Sequence, residues 1–208
     1  MRIETFSVGP MKNLSYALID DESRTSILID PGFEACRFID FLNKNELSLQ
    51  SILLTHGHFD HVNAVPEILA KYDIPVFLSR DEAFSLTPKF VSHFFKNKDI
   101  LKFGNSKIMV FSTPGHTPGS VCFSIDQRYL LTGDTLFING CGRCDFDSSK
   151  PIELYHSLSF LKSLNENYVI LPGHDYGPKR QSLLFDERKS NPYLLANSYA
   201  QFYQIRMK

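Results

Sequence analysis

The chain has 208 residues, a formal net charge of −1 and 43% hydrophobic residues, as an ordinary soluble globular protein has. This length predicts one domain over residues 1–208, and the near-neutral charge without a basic run argues against nucleic acid or an anionic membrane as a partner. No apolar run reaches the roughly 20 residues that span a bilayer, and residues 1–10 lack the pattern of a signal peptide, so a cytoplasmic location is expected.

Apolar residues that alternate or run together predict nine strands. In chain order these are Arg2–Val8, Leu14–Ile19, Ser26–Ile29, Ser51–Leu54, Val76–Leu78, Ile108–Ser112, Ser120–Ile125, Tyr129–Leu131 and Tyr168–Ile170. Apolar residues three and four positions apart predict three helices, at Ala35–Asn43, His61–Lys71 and Pro151–Leu164. Strands and helices mixed in this way indicate a layered α/β domain.

The segment from Asp81 to Lys98 carries a stripe of aromatic and aliphatic residues at helical spacing. Such a stripe is more often core than pocket, so these residues are expected to be buried. The functional alternative is an apolar wall over the mouth of a binding site.

Turn residues followed by histidine or aspartate end five of the predicted strands. The five loops begin at Asp30-Pro31-Gly32, Thr55-His56, Pro114-Gly115-His116, Gly133-Asp134 and Pro172-Gly173-His174. Five of the seven histidines of the chain lie in these loops. Because polar residues at strand ends gather at one edge of a sheet, where α/β proteins commonly bind ligands, the loops predict one site.

The loop after the fourth predicted strand is the most crowded, with His56, His58, Asp60 and His61 in six consecutive positions. Histidines two apart in an extended segment point the same way and can bind one ion. At the start of a helix, free backbone N–H groups favour the carboxylate of Asp60 and keep imidazole neutral, which is its metal-binding form. The alternative, a set of solvated turn residues, does not account for this concentration of ligand types.

The loops together supply seven candidate metal ligands, which are His56, His58, Asp60, His61, His116, Asp134 and His174. A catalytic zinc ion takes about three protein ligands and keeps one position for water. Seven ligands therefore fit two divalent ions, with three ligands to each, one carboxylate shared, and a separation of roughly 3.5–4 Å.

The motifs THGHFDH, PGHTPG, TGDTLF and PGHDYG occur in this order and resemble those of the metallo-β-lactamase superfamily over nearly the whole chain. The resemblance implies an αββα sandwich, in which two mixed sheets are flanked by helices and metals lie at one edge between the sheets. It also implies two metal-binding triads, which are His56, His58 and His116 for the first ion and Asp60, His61 and His174 for the second. Asp134 would bridge the ions, and Asp30 would support the site without binding metal.

Within the superfamily, Asp134 argues against a true β-lactamase, and the chain length argues against the nucleic-acid-processing members, which carry a large inserted domain. The run GDTLFINGCGRCDF is similar to that of hydroxyacylglutathione hydrolases (glyoxalase II), but Gly140–Asp145 is closer to the loop of persulfide dioxygenases. Only a short tail follows His174, where the larger glyoxalase II enzymes have the helical region that clamps glutathione.

Two enzyme hypotheses remain. The favoured one is a dinuclear hydrolase of a thioester such as S-lactoylglutathione, in which Asp60 acts with a metal-bridging hydroxide. Two zinc ions are expected as cofactors, and iron or manganese would also suit these ligands. The alternative is an iron-dependent glutathione persulfide dioxygenase with His56, His116 and Asp134 on one iron. A weaker third interpretation is a metal-binding scaffold without catalysis.

Arg143 follows the Gly-Cys-Gly turn and is predicted to bind a substrate carboxylate, because guanidinium pairs with carboxylate through two parallel hydrogen bonds. The alternative is a surface ion pair with Asp145. Cys141 and Cys144 have CxxC spacing but no second cysteine pair, so they are interpreted as packing residues and not as a zinc knuckle.

Overall fold

Two six-stranded β-sheets stacked face to face form the centre of the structure, a computed structural model that describes residues 1–208. The first sheet has its strands side by side in chain order: β1 (Arg2–Val8), β2 (Asn13–Asp20), β3 (Thr25–Ile29), β4 (Ser48–Leu53), β5 (Val76–Ser79) and β6 (His93–Phe95). The later strands are β7 (Ile100–Phe103), β8 (Ser106–Ser112), β9 (Val121–Ile125), β10 (Tyr129–Gly133), β11 (Leu136–Phe137), β12 (Gly140–Cys141), β13 (Val169–Pro172) and β14 (Ser182–Leu183). Strands β11 and β12 form a separate ribbon, and the others form the second sheet in the order β14-β13-β10-β9-β8-β7.

Both sheets mix parallel and antiparallel pairs. Strands β1 to β3 are antiparallel, whereas β3 to β6 run parallel to one another. In the second sheet only β10 and β13 pair in parallel. Parallel neighbours end at the same edge of their sheet, so the loops that follow them are brought together.

Seven helices and one short 3₁₀ turn complete the structure. They are α1 (Ala35–Lys44), α2 (Phe59–Val62), α3 (Val65–Leu69), the 3₁₀ turn Phe84–Leu86, α4 (Pro151–Ser163), α5 (Leu184–Ser190), α6 (Pro192–Leu195) and α7 (Tyr199–Arg206). No helix combines the length and apolar character that crossing a membrane would require.

Three buried apolar clusters lie between successive layers. The first joins α1 and α3 to the outer face of the first sheet and has Phe38 at its centre. The second fills the space between the sheets, where Tyr16 comes from one sheet and Phe123 from the other. The third joins the second sheet to α4 and the C-terminal helices through Leu158 and Phe202. Three apolar interfaces make four layers, so the predicted αββα sandwich is confirmed.

All nine predicted strands are present, and the largest shift is in β4, which begins at Ser48 instead of Ser51. The predicted helix His61–Lys71 is wrong as a single helix, because α2 ends and α3 begins within it. Pro66 explains the interruption, since it has no N–H to donate to the carbonyl four residues earlier and is accommodated in the first turn of a new helix.

The stripe in the segment Asp81–Lys98 does not form a helix. Pro88 removes a helical donor in its middle, and the chain instead makes the 3₁₀ turn and then strand β6. Phe95 is buried between the sheets, but the Phe84 side chain is 97% exposed, so the expectation of a uniformly buried stripe was wrong.

Main-chain hydrogen bonds join the two sheets beside the edge where the predicted loops meet. Val121 N at the start of β9 donates to Thr55 O just after β4, at 2.9 Å, and Leu14 N in β2 donates to Gly173 O after β13, at 2.8 Å. These bonds fix the relative positions of loops that come from distant parts of the chain.

Candidate metal centre

The seven predicted ligand side chains meet at this edge between the sheets. Four come from the loop after β4 and the first turn of α2, His116 comes from the β8–β9 loop, and Asp134 and His174 follow the parallel strands β10 and β13. All are buried except His58, which is half-buried.

His56, His58 and His116 form the first triad. His58 Nδ1 lies 3.1 Å from His56 Nε2 and 2.9 Å from His116 Nε2. Three imidazole nitrogens that face one point at this spacing can hold one metal ion.

Asp60, His61 and His174 form the second triad. His174 Nε2 lies 3.3 Å from His61 Nε2 and 3.4 Å from Asp60 Oδ2. Asn13 Nδ2 donates to the same Asp60 oxygen at 2.9 Å and to the Asp60 carbonyl at 3.1 Å, which fixes the carboxylate in this orientation.

Asp134 lies between the two triads. Its Oδ2 is 3.5 Å from His116 Nε2 of the first triad and 3.4 Å from His174 Nε2 of the second, and its Oδ1 is 3.3 Å from His61 Nε2. One carboxylate therefore reaches donors of both triads, as the sequence-based hypothesis of a shared ligand requires.

Each buried histidine is fixed at the ring nitrogen that faces away from the centre. His116 Nδ1 donates to Arg143 O at 2.7 Å, and His174 Nδ1 donates to Met11 O at 2.8 Å. These contacts set the tautomer and direct each Nε2 inward, as outer partners do for metal-binding histidines.

Asp30 is one of these outer partners. Its Oδ1 accepts from Thr55 N at 2.7 Å, and its Oδ2 accepts from Thr55 Oγ1 at 2.5 Å and contacts His61 Nδ1 at 3.0 Å. Because both carboxylate oxygens are engaged by Thr55 and His61, Asp30 is placed to orient His61 and the β4 loop.

The electrostatics divide the centre into two parts. In the first triad, burial lowers the pKa of His58 to about 4 and also lowers the pKa values of His56 and His116, so these rings are neutral at pH 7. Burial likewise lowers the pKa of His174, but its contacts with Asp134 and Asp60 outweigh burial and raise the pKa to about 9.

The carboxylates are ionised. Burial raises the pKa of Asp60, but the contact with His174, the charge of His61 and the hydrogen bond from Asn13 outweigh it and lower the pKa to about 2. Burial lowers the pKa of His61, but contacts with Asp134 and Asp30 likewise outweigh it and raise the pKa, so in the metal-free protein the two carboxylates of this part face two protonated histidines. A metal ion that replaces those protons would face the negative charge of both carboxylates.

These residues fit divalent metal ions. Imidazole nitrogens and carboxylate oxygens are the donors that zinc, iron and manganese accept in proteins. Asp134 Oδ1 is buried and accepts no hydrogen bond, which is costly unless a cation uses its lone pairs. The first triad supplies neutral rings, and the second supplies the negative charge that compensates the ions.

The centre forms the floor of a pocket of about 470 Å³, large enough for a small ligand. Tyr176 stacks on the His174 ring with centroids 4.6 Å apart, and Phe146 contacts the His58 ring edge-on at 5.3 Å. The predicted substrate residue Arg143 lines the wall, as does Arg206 from α7.

Three residues of the centre have no local sequence signal. Asn13 lies in an apolar strand, Glu82 lies in the misassigned aromatic segment, and Arg206 lies in the tail where no element was predicted. A search for strand-end histidines and aspartates cannot find them, because their roles depend on long-range contacts.

Comparison with known proteins agrees with this geometry. The sequence model of the Metallo-beta-lactamase superfamily matches residues 9–174. Hydroxyacylglutathione hydrolase GloC of Haemophilus influenzae is 30% identical over 217 residues, which span 95% of this chain and 100% of that protein. ETHE1 from Myxococcus xanthus is 27% identical with a TM-score of 0.90, covering 100% of this chain and 91% of that one. The di-iron-bound form of TTHA1623 is 31% identical with a TM-score of 0.78, covering 92% of this chain and 100% of that one.

Proposed function

Because the chain belongs to the metallo-β-lactamase superfamily, we propose that it is a dinuclear metallohydrolase that cleaves an acyl thioester such as S-lactoylglutathione. The observation that carries this proposal is the position of Asp134, whose carboxylate reaches donors of both triads. A carboxylate between two triads can serve both ions of a two-metal site, in which the ions lie roughly 3.5–4 Å apart.

His56, His58 and His116 would hold one ion and Asp60, His61 and His174 the other, with Asp134 between them. Two divalent ions supply positive charge that makes water nucleophilic near neutral pH and that stabilises an oxyanion. Zinc is the proposed metal, and these nitrogen and oxygen donors also suit iron or manganese.

Protein groups around the two triads hold the ligand side chains in fixed orientations. Asn13 holds Asp60 Oδ2, and the ionised Asp60 carboxylate at the pocket floor is placed to accept a hydrogen bond from the attacking water. The carbonyls of Arg143 and Met11 hold His116 and His174 so that their rings do not rotate during turnover.

The pocket wall supports an anionic substrate. Arg143 and Arg206 both line it, and guanidinium groups pair well with carboxylates such as those of glutathione. GloC of Haemophilus influenzae, which aligns with this chain over 100% of its own length, is a hydroxyacylglutathione hydrolase, and this supports the same substrate class here.

The substitution His174→Ala tests the proposal. It should lower the metal content from about two ions to about one and slow S-lactoylglutathione hydrolysis at least on the order of 100-fold, comparable to the loss of a major electrostatic group. Metal analysis of the purified protein and steady-state kinetics measure both effects. The comparison variant His56→Ala should be inactive whichever enzyme class is correct.

The second candidate is an iron-dependent glutathione persulfide dioxygenase, with His56, His116 and Asp134 as the iron ligands. The structural likeness to ETHE1 from Myxococcus xanthus favours it, as does the Gly140–Asp145 loop. If His174→Ala keeps the metal content of the unmodified protein and the variant still consumes oxygen with glutathione persulfide, the hydrolase proposal is wrong.

A further inference from the structure

Glu82 is a buried carboxylate that joins the two loops of the first triad. It lies in the loop between β5 and the 3₁₀ turn, outside every motif that the sequence singles out. Its Oε2 accepts from Gly57 N, between His56 and His58, at 3.1 Å. The same oxygen accepts from Thr117 Oγ1, next to His116, at 2.8 Å.

The second carboxylate oxygen of Glu82 also accepts hydrogen bonds from the backbone. Glu82 Oε1 accepts from Gly119 N at 3.3 Å and from Ala83 N at 2.9 Å. Each oxygen thus accepts two bonds, and no lysine or arginine pairs with the carboxylate. Since the N–H groups can only donate, the site requires two acceptor oxygens, which the carboxylate of glutamate supplies and the amide of glutamine does not.

The backbone of residues 82–86 packs directly against the loop after β4 and the β8–β9 loop. A Cβ atom at Gly57 would lie 1.7 Å from Leu86 O, and a Cβ atom at Gly119 would lie 2.4 Å from Glu82 N. Only glycine permits such an approach, so the residues from Glu82 to Leu86 form a strap across the β4 loop and the β8–β9 loop.

We propose that Glu82 is a positioning residue that sets the geometry, and thereby the metal affinity, of the triad His56, His58 and His116. The second triad, which is oriented by Asn13, Asp30 and Met11, does not depend on it. The inference rests on the two-ion assignment in the proposed function, but not on the identity of the substrate.

The test is a zinc titration of the chelator-treated protein, residues 1–208, against a chromophoric competitor. Reference titrations of His58→Ala and His174→Ala identify which of the two affinities belongs to which triad. In Glu82→Gln the first-triad affinity should fall on the order of 10- to 100-fold, as is typical when an outer partner is lost, while the second-triad affinity stays unchanged. The visible spectrum of the cobalt-substituted variant should change in the band that His58→Ala abolishes.

Glu187→Gln is the matched control. Glu187 is equally buried and its Oε2 accepts from Asn139 N at 2.7 Å and from Asn191 Nδ2 at 3.2 Å, but it touches neither triad. This control should lower thermal stability without changing either zinc affinity. If Glu82→Gln does not fold, Thr117→Val removes one donor to the carboxylate and should weaken the first-triad affinity by a smaller factor.

Unchanged first-triad affinity in a folded Glu82→Gln or Thr117→Val protein would overturn the inference. An equal loss of both affinities would also overturn it, because that result indicates general loosening of the fold. If the unmodified protein binds only one ion, the dinuclear proposal is wrong. In that case the inference about Glu82 stands only if Glu82→Gln weakens an ion that His58→Ala also weakens.

Discussion

Arg143 and Arg206 both line the pocket, but only Arg143 is paired with a carboxylate of the protein. Arg143 makes two hydrogen bonds to Asp145, at 2.9 and 2.8 Å, and its guanidinium lies 4.5 Å from the centroid of the Phe146 ring. Arg206 donates Nε to Gly142 O at 2.9 Å and has no carboxylate partner. The predicted substrate residue is therefore already paired, and the unpaired cation of the pocket is Arg206.

We expect Arg206→Gln to raise KM for S-lactoylglutathione on the order of 10- to 100-fold, the value of a hydrogen bond to a charged group, with a smaller effect on kcat. Glutamine keeps a donor for Gly142 O, so the loop is retained. Arg143→Ala should also raise KM more than it lowers kcat, but only by up to about fivefold, because its side chain is exposed and screened.

Steady-state kinetics with S-lactoylglutathione and with an uncharged thioester measure these effects. The uncharged thioester should show little change in KM in either variant. Unchanged KM for S-lactoylglutathione in Arg143→Ala would remove Arg143 from the site, and the same result in Arg206→Gln would remove Arg206.

The sequence located the seven side chains of the centre because each follows a strand in a turn motif, and strand ends converge. The sequence patterns do not identify Asn13 and Glu82, for a physical reason. Asn13 contacts Asp60, 47 residues away, and Glu82 contacts Thr117, 35 residues away. Neither contact leaves a periodic or local pattern, so only the folded chain shows that these residues hold the others in place.

Helix α1 illustrates how one element is fixed to the first sheet. Its apolar residues recur on one face, and Phe38 is completely buried, with its ring 5.0 Å from that of Phe6 in β1. The helix begins after Glu34, which has a left-handed conformation and provides no side-chain cap, so packing of the apolar face against the sheet is what stabilises the helix.

Phe38→Ala should therefore lower the free energy of unfolding by about 3–5 kcal/mol, because it removes a large buried ring and leaves a cavity. Urea unfolding of the metal-free protein, followed by circular dichroism, measures the change. Phe84→Ala is the aromatic control, and it should change stability by less than about 0.5 kcal/mol because that ring is 97% exposed. A loss below about 1 kcal/mol for Phe38→Ala would contradict the assignment of this interface.

Helices and strands whose apolar residues recur at a regular spacing were predictable from the sequence, and those without such a pattern were not. Strand β2 and helix α1 follow from their apolar patterns, whereas α5 and α6 are short helices and α7 has apolar residues spread around its surface. Phe202 in α7 is completely buried against the third apolar cluster. Its burial comes from tertiary packing, which overrides weak local preference.

At the scale of the whole molecule, the charge of the centre couples metal binding to pH. The pKa of His174 is raised from its usual value to about 9, so in the metal-free protein the ring carries a proton at pH 7. A metal ion must displace this proton, and the apparent zinc affinity should therefore rise as the pH approaches about 9.

Isothermal titration calorimetry with zinc at pH 7 in two buffers of different ionisation enthalpy measures the release, which we expect to be on the order of two protons, from His174 and from His61, because the pKa values of both are raised. In His174→Ala this release should fall by on the order of one proton. Equal heats in both buffers would contradict the prediction. In the metal-free protein, the interaction of His174 with the carboxylates stabilises the fold fully below about pH 6.5 and is lost as the pH rises through about 9.

Each triad takes residues from both sheets, and His61 and His174 are 113 positions apart. An unfolded chain does not hold such a triad together, so the centre is completed only after the sheets have docked, and ions enter last through the open mouth of the pocket. We expect bound ions to act as cross-links between the two sheets. The lifetime of the metal-loaded protein against irreversible unfolding is then expected to depend on the rate of ion loss as well as on the apolar core.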